Sequence, residues 1–395
     1  MLSDQLGGLV EEGDPAALLR AVDGLCADRD WPGLLRLREL LADAIERGKP
    51  LWPVTTYVEY RIALEAPGPE VGLVLRSGVG RFALGPLTEV AAATHAWDEL
   101  APHLEEAGVA GTVAQERVLR GEDLRGREGT HPEVLELPLV LAPWEPDYPL
   151  ATYRAAELEV PDPAMEDGAR MQDSTADPAA ELERQEALRA LTDLVEVWTT
   201  ESNGAARAVA VRGGPAEAVA TLGYGVHRLG RLDPAMALAR MAWAAASGGA
   251  YGVRRGAALG RFDAWWAAAA LAGVDWPPDP DELGGALERL GWWAWDDGTA
   301  SLGWNLRLAV ADPAAVRSGR PVADLPHASI HPIPLPGPRA GGWTGGRPGG
   351  LHRAAGPLGQ RAAGGRRARH QRQGPPVLAH RRAGAARHHG RLALR

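Results

Sequence analysis

The stretch Ser247-Gly248-Gly249-Ala250-Tyr251-Gly252-Val253-Arg254-Arg255-Gly256 holds the residue types best suited to chemistry in this chain. A glycine-rich loop feeding a helix start exposes backbone N–H groups, and two adjacent arginines add forked donors that fit a phosphate or carboxylate. The residues expected to hold such an anion are Ser247, Gly248, Gly249, Arg254 and Arg255, with Arg261 joining from about two helical turns further on. The segment lacks the GK[ST] ending of a P-loop and follows no clear strand, so no nucleotide motif is matched. A packing role competes with the anion site. Gly252, Gly256 and Gly260 recur every four residues and would give one helix face a close approach to a neighbour.

Elsewhere the chemistry is thinner. His95, His103, Asp98 and Glu99 lie close in sequence, but their spacing matches no zinc motif, and solvated or capping histidines are the simpler reading. Cys26 sits on an apolar helix face with no neighbouring histidine, which reads as a buried, inert thiol. No GxSxG elbow occurs. Acidic neighbours such as Glu11-Glu12 and Glu105-Glu106 diverge on a helix and cannot act as a paired acid and base. Tryptophan is over-represented, 14 against two phenylalanines, with Trp265-Trp266, Trp292-Trp293, Trp295 and Trp304 clustered late in the chain. Such rings could grip a sugar, base or partner; packing is the commoner use and requires most of them to be buried. No catalytic set, metal site or cofactor follows from these residues.

The elements that would position them read as mainly α with a minor β component. Asp14-Pro15, Asp30 with Pro32, Asp233-Pro234 and Asp279-Pro280 each place a capping carboxylate before a proline, a helix-opening device. Leu34, Leu37, Leu41 and Ile45 follow a helical stripe. Further helices are expected over 54–66, 70–77, 87–95, 98–107, 112–120, 181–199, 233–247, 251–271 and 279–290. Consecutive helices of this kind resemble an α-solenoid, though no fixed period emerges. A strand is expected over 206–211. A hairpin is expected over 292–310, where Trp293 and Trp295 alternate into Asp296-Asp297-Gly298 and Leu306, Leu308 and Val310 alternate on the return. The division expected is a helical domain 1–128, a proline-rich extended segment and acidic linker 129–180, a helical domain with the hairpin 181–313, and an unstructured tail 314–395.

Charge supports separating that tail. Residues 1–324 carry a net of −22, whereas 325–395 carry 13 arginines and no acid. From Gly345 to Arg395, 51 consecutive residues use only Leu, Pro, His, Gln, Arg, Val, Ala and Gly, an alphabet whose codons can all begin with G or C. With Lys49 the single lysine among 42 basic residues, the gene reads as GC-rich, and the tail reads as its out-of-frame translation. As a genuine segment it would instead be a basic arm with steeply salt-dependent nucleic-acid binding. The acidic body argues against non-specific binding to nucleic acid or an anionic membrane. One cysteine excludes an internal disulfide. No basic-then-apolar leader opens the chain and no apolar run approaches a membrane span, so a soluble cytoplasmic protein is expected.

The run Ser247–Ala258 with Gly260-Arg261-Phe262 and Trp265-Trp266, together with Gly85-Pro86-Leu87-Thr88-Glu89-Val90 and Thr94-His95-Ala96-Trp97-Asp98-Glu99-Leu100, resembles an actinobacterial family of unknown function over roughly residues 80–312. The resemblance implies no activity and carries over no site residue. It also implies an Ala- and Trp-containing helix after Leu306–Pro313. Ala314–Pro321 does not supply one, which places the loss of frame soon after Pro313. The function expected is therefore a non-enzymatic helical binding protein that uses the first domain's solenoid-like surface or the second domain's aromatic face, its partner either a protein or a small anionic ligand. The alternative is an enzyme or sensor that takes an anionic small molecule at 247–255.

Overall fold

The computed structural model describes residues 2–163, 170–298, 304–312 and 328–332. The chain divides into two compact units, Met1–Ala340 and Gly341–Arg395, and the second lies outside the described residues. The first is mainly α with a minor β component.

All four cap-then-proline devices form. Asp14 opens α2 (Pro15–Ala27) after a first helix α1 (Leu2–Glu12), accepting from the Ala16 amide at 2.9 Å. Asp30 opens α3 (Trp31–Glu46), accepting from Gly33 N at 2.9 Å. α4 (Trp52–Glu65), α5 (Gly68–Gly72), α6 (Leu87–Thr94), α7 (Trp97–Leu100) and α8 (Ala107–Leu119) follow. Their apolar faces close one core that reaches from Leu6 to Tyr153, the latter on β1 (Thr152–Arg154), which pairs with β2 (Glu157–Glu159). The helices expected at 70–77 and 98–107 are shorter than expected. Gly72 ends the first, and Pro102 tightens the second into a 3-10 turn over Ala101–His103.

The second core runs from Leu135 to Val310. It is built from α9 (Gln185–Asp193), α10 (Glu196–Thr200), α12 (Pro234–Ala246), α13 (Ala257–Ala272) and α14 (Pro280–Arg289), packed on one face of a sheet. Asp233 and Asp279 cap α12 and α14 through the Ala235 and Asp281 amides. The sheet is antiparallel in the order β3-β5-β6-β7-β8-β4, where β3 is Gln172–Thr175, β4 Ala206–Ala210, β5 Val226–Leu232, β6 Gly291–Asp296, β7 Leu308–Ala311 and β8 Ala328–Pro332.

The expected hairpin is β6–β7, and its register sets which way its tryptophans face. Trp292 pairs with Val310 and Ala294 with Leu308, and these four point into the helical core. Trp293 and Trp295 point the other way with Ala309, where α11 (Pro215–Thr221) covers the sheet. Both faces are therefore apolar, as expected of a strand with helices on either side. Three strands of this sheet, β3, β5 and β8, were not legible. β3 lies in the stretch expected to be an acidic linker, and β5 interrupts its apolar alternation with His227, Arg228 and Arg231. Arg228 fits because Asp296 meets it at 2.8 Å across the β5–β6 ladder. Ala328–Pro332, within the segment expected to be unstructured, instead fills the ladder between β7 and β4. The remainder of 314–395, including the arginine-rich run, lies outside the described residues.

The helix expected from Tyr251 starts only at Ala257, so Gly252, Gly256 and Gly260 do not share a helix face. Gly260 makes the close approach to α12: a β-carbon there would run into the Ala242 carbonyl oxygen and lie 2.8 Å from Ala246 Cβ. Gly260→Ala should therefore lower stability by about 1–3 kcal/mol by overpacking, against alanine's better helix propensity. A thermal midpoint at or above wild type would remove that contact from the account of α12–α13 packing.

Candidate functional site

The loop 247–256 joins the end of α12 to the start of α13, and its polar groups are turned inward. Ser247 Oγ accepts from Trp198 Nε1 at 2.8 Å and donates to the Ala244 carbonyl at 3.0 Å. Several of the loop amides meet partners of the chain itself: Gly249 N reaches Ser247 Oγ at 3.4 Å, Gly252 N the Gly248 carbonyl at 2.9 Å, and Val253 N Glu201 Oε2 at 3.3 Å.

Each of the three arginines meets a different carboxylate. Arg254 forms a two-pronged pair with Glu89 of α6, Nε to Oε2 at 2.8 Å and Nη2 to Oε1 at 2.7 Å. Arg255 pairs with Asp263 of α13. Arg261 pairs with Glu145, Nε to Oε2 at 2.8 Å and Nη2 to Oε1 at 2.7 Å, and both side chains are fully buried. The structure thus does not bring Arg261 to the same anion as Arg254.

Two networks grow from these pairs. In the first, Glu89 Oε2 also accepts from the Tyr153 hydroxyl at 2.7 Å, and Oε1 from the Ala257 amide at 3.3 Å. Glu116 of α8 takes the next amide of the same helix start, Ala258 N, at 2.7 Å, and also pairs with Arg120 Nη1 at 2.7 Å. Two carboxylates therefore cap the positive end of α13, where amide donors and dipole both favour negative charge. Gly256, at φ +98°, fits between them: a β-carbon there would lie 3.1 Å from Glu116 Oε1 and 3.6 Å from Glu89 Oε2. Burial opposes the charge on Glu89, but the Arg254 guanidinium, with help from Tyr153 and Arg120, outweighs it and holds the carboxyl below the usual range. For Glu116, burial and then the Glu89 charge prevail, and its carboxyl is pushed up to about 7.

In the second network Glu145 also accepts from Tyr148 at 2.6 Å, Trp265 Nε1 at 3.0 Å and the Ala142 amide at 2.9 Å. Arg261 spends its remaining donors on Gln115 Oε1 at 2.6 Å and the Pro138 carbonyl at 3.1 Å. Burial disfavours both charges, and the pairing overcomes it, lowering Glu145 and raising Arg261. These bonds fix the proline-rich stretch after Thr130 against α8 and α13, a use of Arg261 that its sequence position did not reveal.

The sequence-level candidates outside this region divide similarly. His95 is buried, with Nε2 2.7 Å from the Ala66 carbonyl and Nδ1 3.0 Å from that of Ala91. It therefore ties α6 to the end of α4 rather than lying solvated. Cys26 is buried, and its thiol is pushed up to about 11 by desolvation. Trp265, Trp292 and Trp295 are fully enclosed, whereas Trp52 is half exposed. Among the described residues no group of three His, Cys, Asp or Glu side chains is placed to hold a metal. Glu89, Glu116 and Glu145 escaped the sequence reading. For Glu89 the available sign was a single carboxylate inside a mostly apolar helical run, Leu87-Thr88-Glu89-Val90-Ala91-Ala92.

No curated protein matches the chain, and no solved structure matches it. A family model does match, over residues 16–320, which takes in both ionic networks and most of both cores. On that match the chain belongs to the family of unknown function DUF6183.

Proposed function

We propose that this protein is a non-enzymatic helical binding protein of the cytoplasm that engages a protein partner through the first helical core. One observation supports this above the rest. The charged side chains suited to chemistry are paired inside the fold, while large apolar side chains of the helical core stay in solvent at one helix start and one loop. Trp52 is 51% exposed and Phe82 61%, their rings 5.1 Å apart, and Leu73 and Leu84 flank the same loop. Exposed aromatic pairs of this kind are the residues that anchor interfaces. No helix among the described residues is long and apolar enough to cross a membrane.

A photo-crosslinking residue at position 82 should capture one defined partner, and Trp52→Ala should abolish the capture without moving the thermal midpoint. The same adducts from a crosslinker at exposed Val226 would defeat the reading, as would a turnover in a broad hydrolase or transferase screen that Arg254→Ala removes. The alternative is an enzyme or sensor taking an anionic small molecule at Ser247, Gly248, Gly249, Arg254, Arg255 and Arg261. It draws support from the solvent exposure of Tyr251 and Val253 in that loop. Thermal-shift screening against nucleotides, sugar phosphates and acyl-CoAs tests it, and a flat response counts against it.

A further inference from the structure

We propose that the buried carboxylates Glu89 and Glu116 form a proton-sensitive latch between the first helical core and the start of α13. Both side chains are enclosed, one from α6 and one from α8, and both close on consecutive amides, Ala257 and Ala258, of a helix belonging to the second core. The junction therefore carries two acids within one small cluster, with Gly256 threaded between them.

Several charged groups lie on or beside the two acids. On Glu89 lie Arg254 from the loop before α13 and Tyr153 from β1. On Glu116 lies Arg120, one turn along the same helix. α13 brings Arg261, held by Gln115 and Glu145, and Asp263, held by Arg255. The turn Pro132–Val134 brings Glu133, which is exposed and paired with His131. On α8 itself Arg117 is held by Glu122, and α7 contributes the exposed Asp98 and Glu99. Two guanidinium groups thus serve two carboxylates, but not equally. Arg254 grips Glu89 with both prongs, whereas Arg120 offers Glu116 one nitrogen and leaves Nη2 buried without a partner. A proton entering the cluster therefore settles on Glu116, where it relieves both the desolvated charge and its repulsion with Glu89.

The sign follows directly. Glu116 is pushed up to about 7 in the fold from 4.5 for the free side chain. Between those values the folded state binds more proton than the unfolded state, so this group's contribution falls as pH rises. Below the free value the contribution is fully present, and above the folded value it is gone. The latch is tight in mild acid and loosened above neutrality. Its limiting effect is about tenfold in the unfolding constant per pH unit, the slope for one proton.

Hydrogen exchange at the Ala257 and Ala258 amides, corrected for intrinsic rates, tests the latch in the full-length protein below and above neutrality. Wild type should lose protection on the alkaline side, and Glu116→Gln, which is neutral at every pH, should show equal protection on both sides. Equal protection in wild type, or an undiminished difference in E116Q, overturns the proposal. Should E116Q fail to fold, infrared difference spectra of wild type decide the matter. A protonated carboxyl band must be present in mild acid and vanish above neutrality, and its absence overturns the latch.

Discussion

Replacing Arg254 with methionine should cost the folded state about 3–5 kcal/mol, the usual result of orphaning one member of a buried ion pair. The urea transition should move to lower concentration at unchanged slope. The loss is large because Glu89 cannot follow its partner into solvent: it is fully enclosed, with only the Tyr153 hydroxyl and the Ala257 amide remaining to solvate it. A double variant, Glu89→Gln with Arg254→Met, removes both charges and should recover most of the loss. A single-variant loss of less than about 1 kcal/mol, in the range of an exposed pair, would mean that this pair does not hold the junction. The pair should also make the protein acid-sensitive. Glu89 is held below its ordinary value, so its contribution is present above the usual carboxylate range and is lost as pH falls through the folded value. Glu116 works in the opposite sense in a separate, higher window.

Arg261→Met should have an effect of similar size, about 3–5 kcal/mol, with a different local signature. Arg261 reaches Gln115 on α8, the Pro138 and Val140 carbonyls, and Glu145, so one side chain fastens the proline-rich stretch to two helices. That stretch has few ladder hydrogen bonds of its own, because its prolines lack the donor. Without Arg261, limited proteolysis should cut between residues 136 and 149 well before the rest of the chain unfolds. Arg255→Met, whose partner Asp263 lies eight residues away, should leave that cleavage unchanged. Cleavage equal to wild type in the Arg261 variant would show that packing of Trp144 on Trp265, with ring centroids 5.1 Å apart, fastens the stretch unaided.

Both expectations turn on pairs that join residues far apart in the chain, 165 positions for Arg254–Glu89 and 116 for Arg261–Glu145. That separation marks the boundary of what could be read from sequence. Helix starts at Pro15, Trp31, Pro234 and Pro280 were legible because the capping carboxylate sits two or three residues from the amide whose hydrogen bond it accepts. The β6–β7 pairing was legible because alternation and a turn lie within one short segment. β3 and β5 were not, since their polar residues find partners only across the sheet. The glycine-rich loop looked like an anion cradle for a related reason: arginines and free amides attract negative charge whether it comes from a ligand or from a glutamate elsewhere in the chain.

The sequence by itself therefore determined the mainly helical class, the capped helix starts and the hairpin. Each of these rests on hydrogen bonds or periodicities that close within a few residues. Tertiary structure alone decided the fate of the charges. Ser247 turns its hydroxyl inward, Glu89 takes Arg254, Glu145 takes Arg261, and Glu116 is left short of positive charge at the start of α13. The physical reason is that desolvation depends on everything packed around a group. The same carboxylate is ordinary in water, locked in its charged form beside a two-pronged arginine, and proton-seeking beside a second acid.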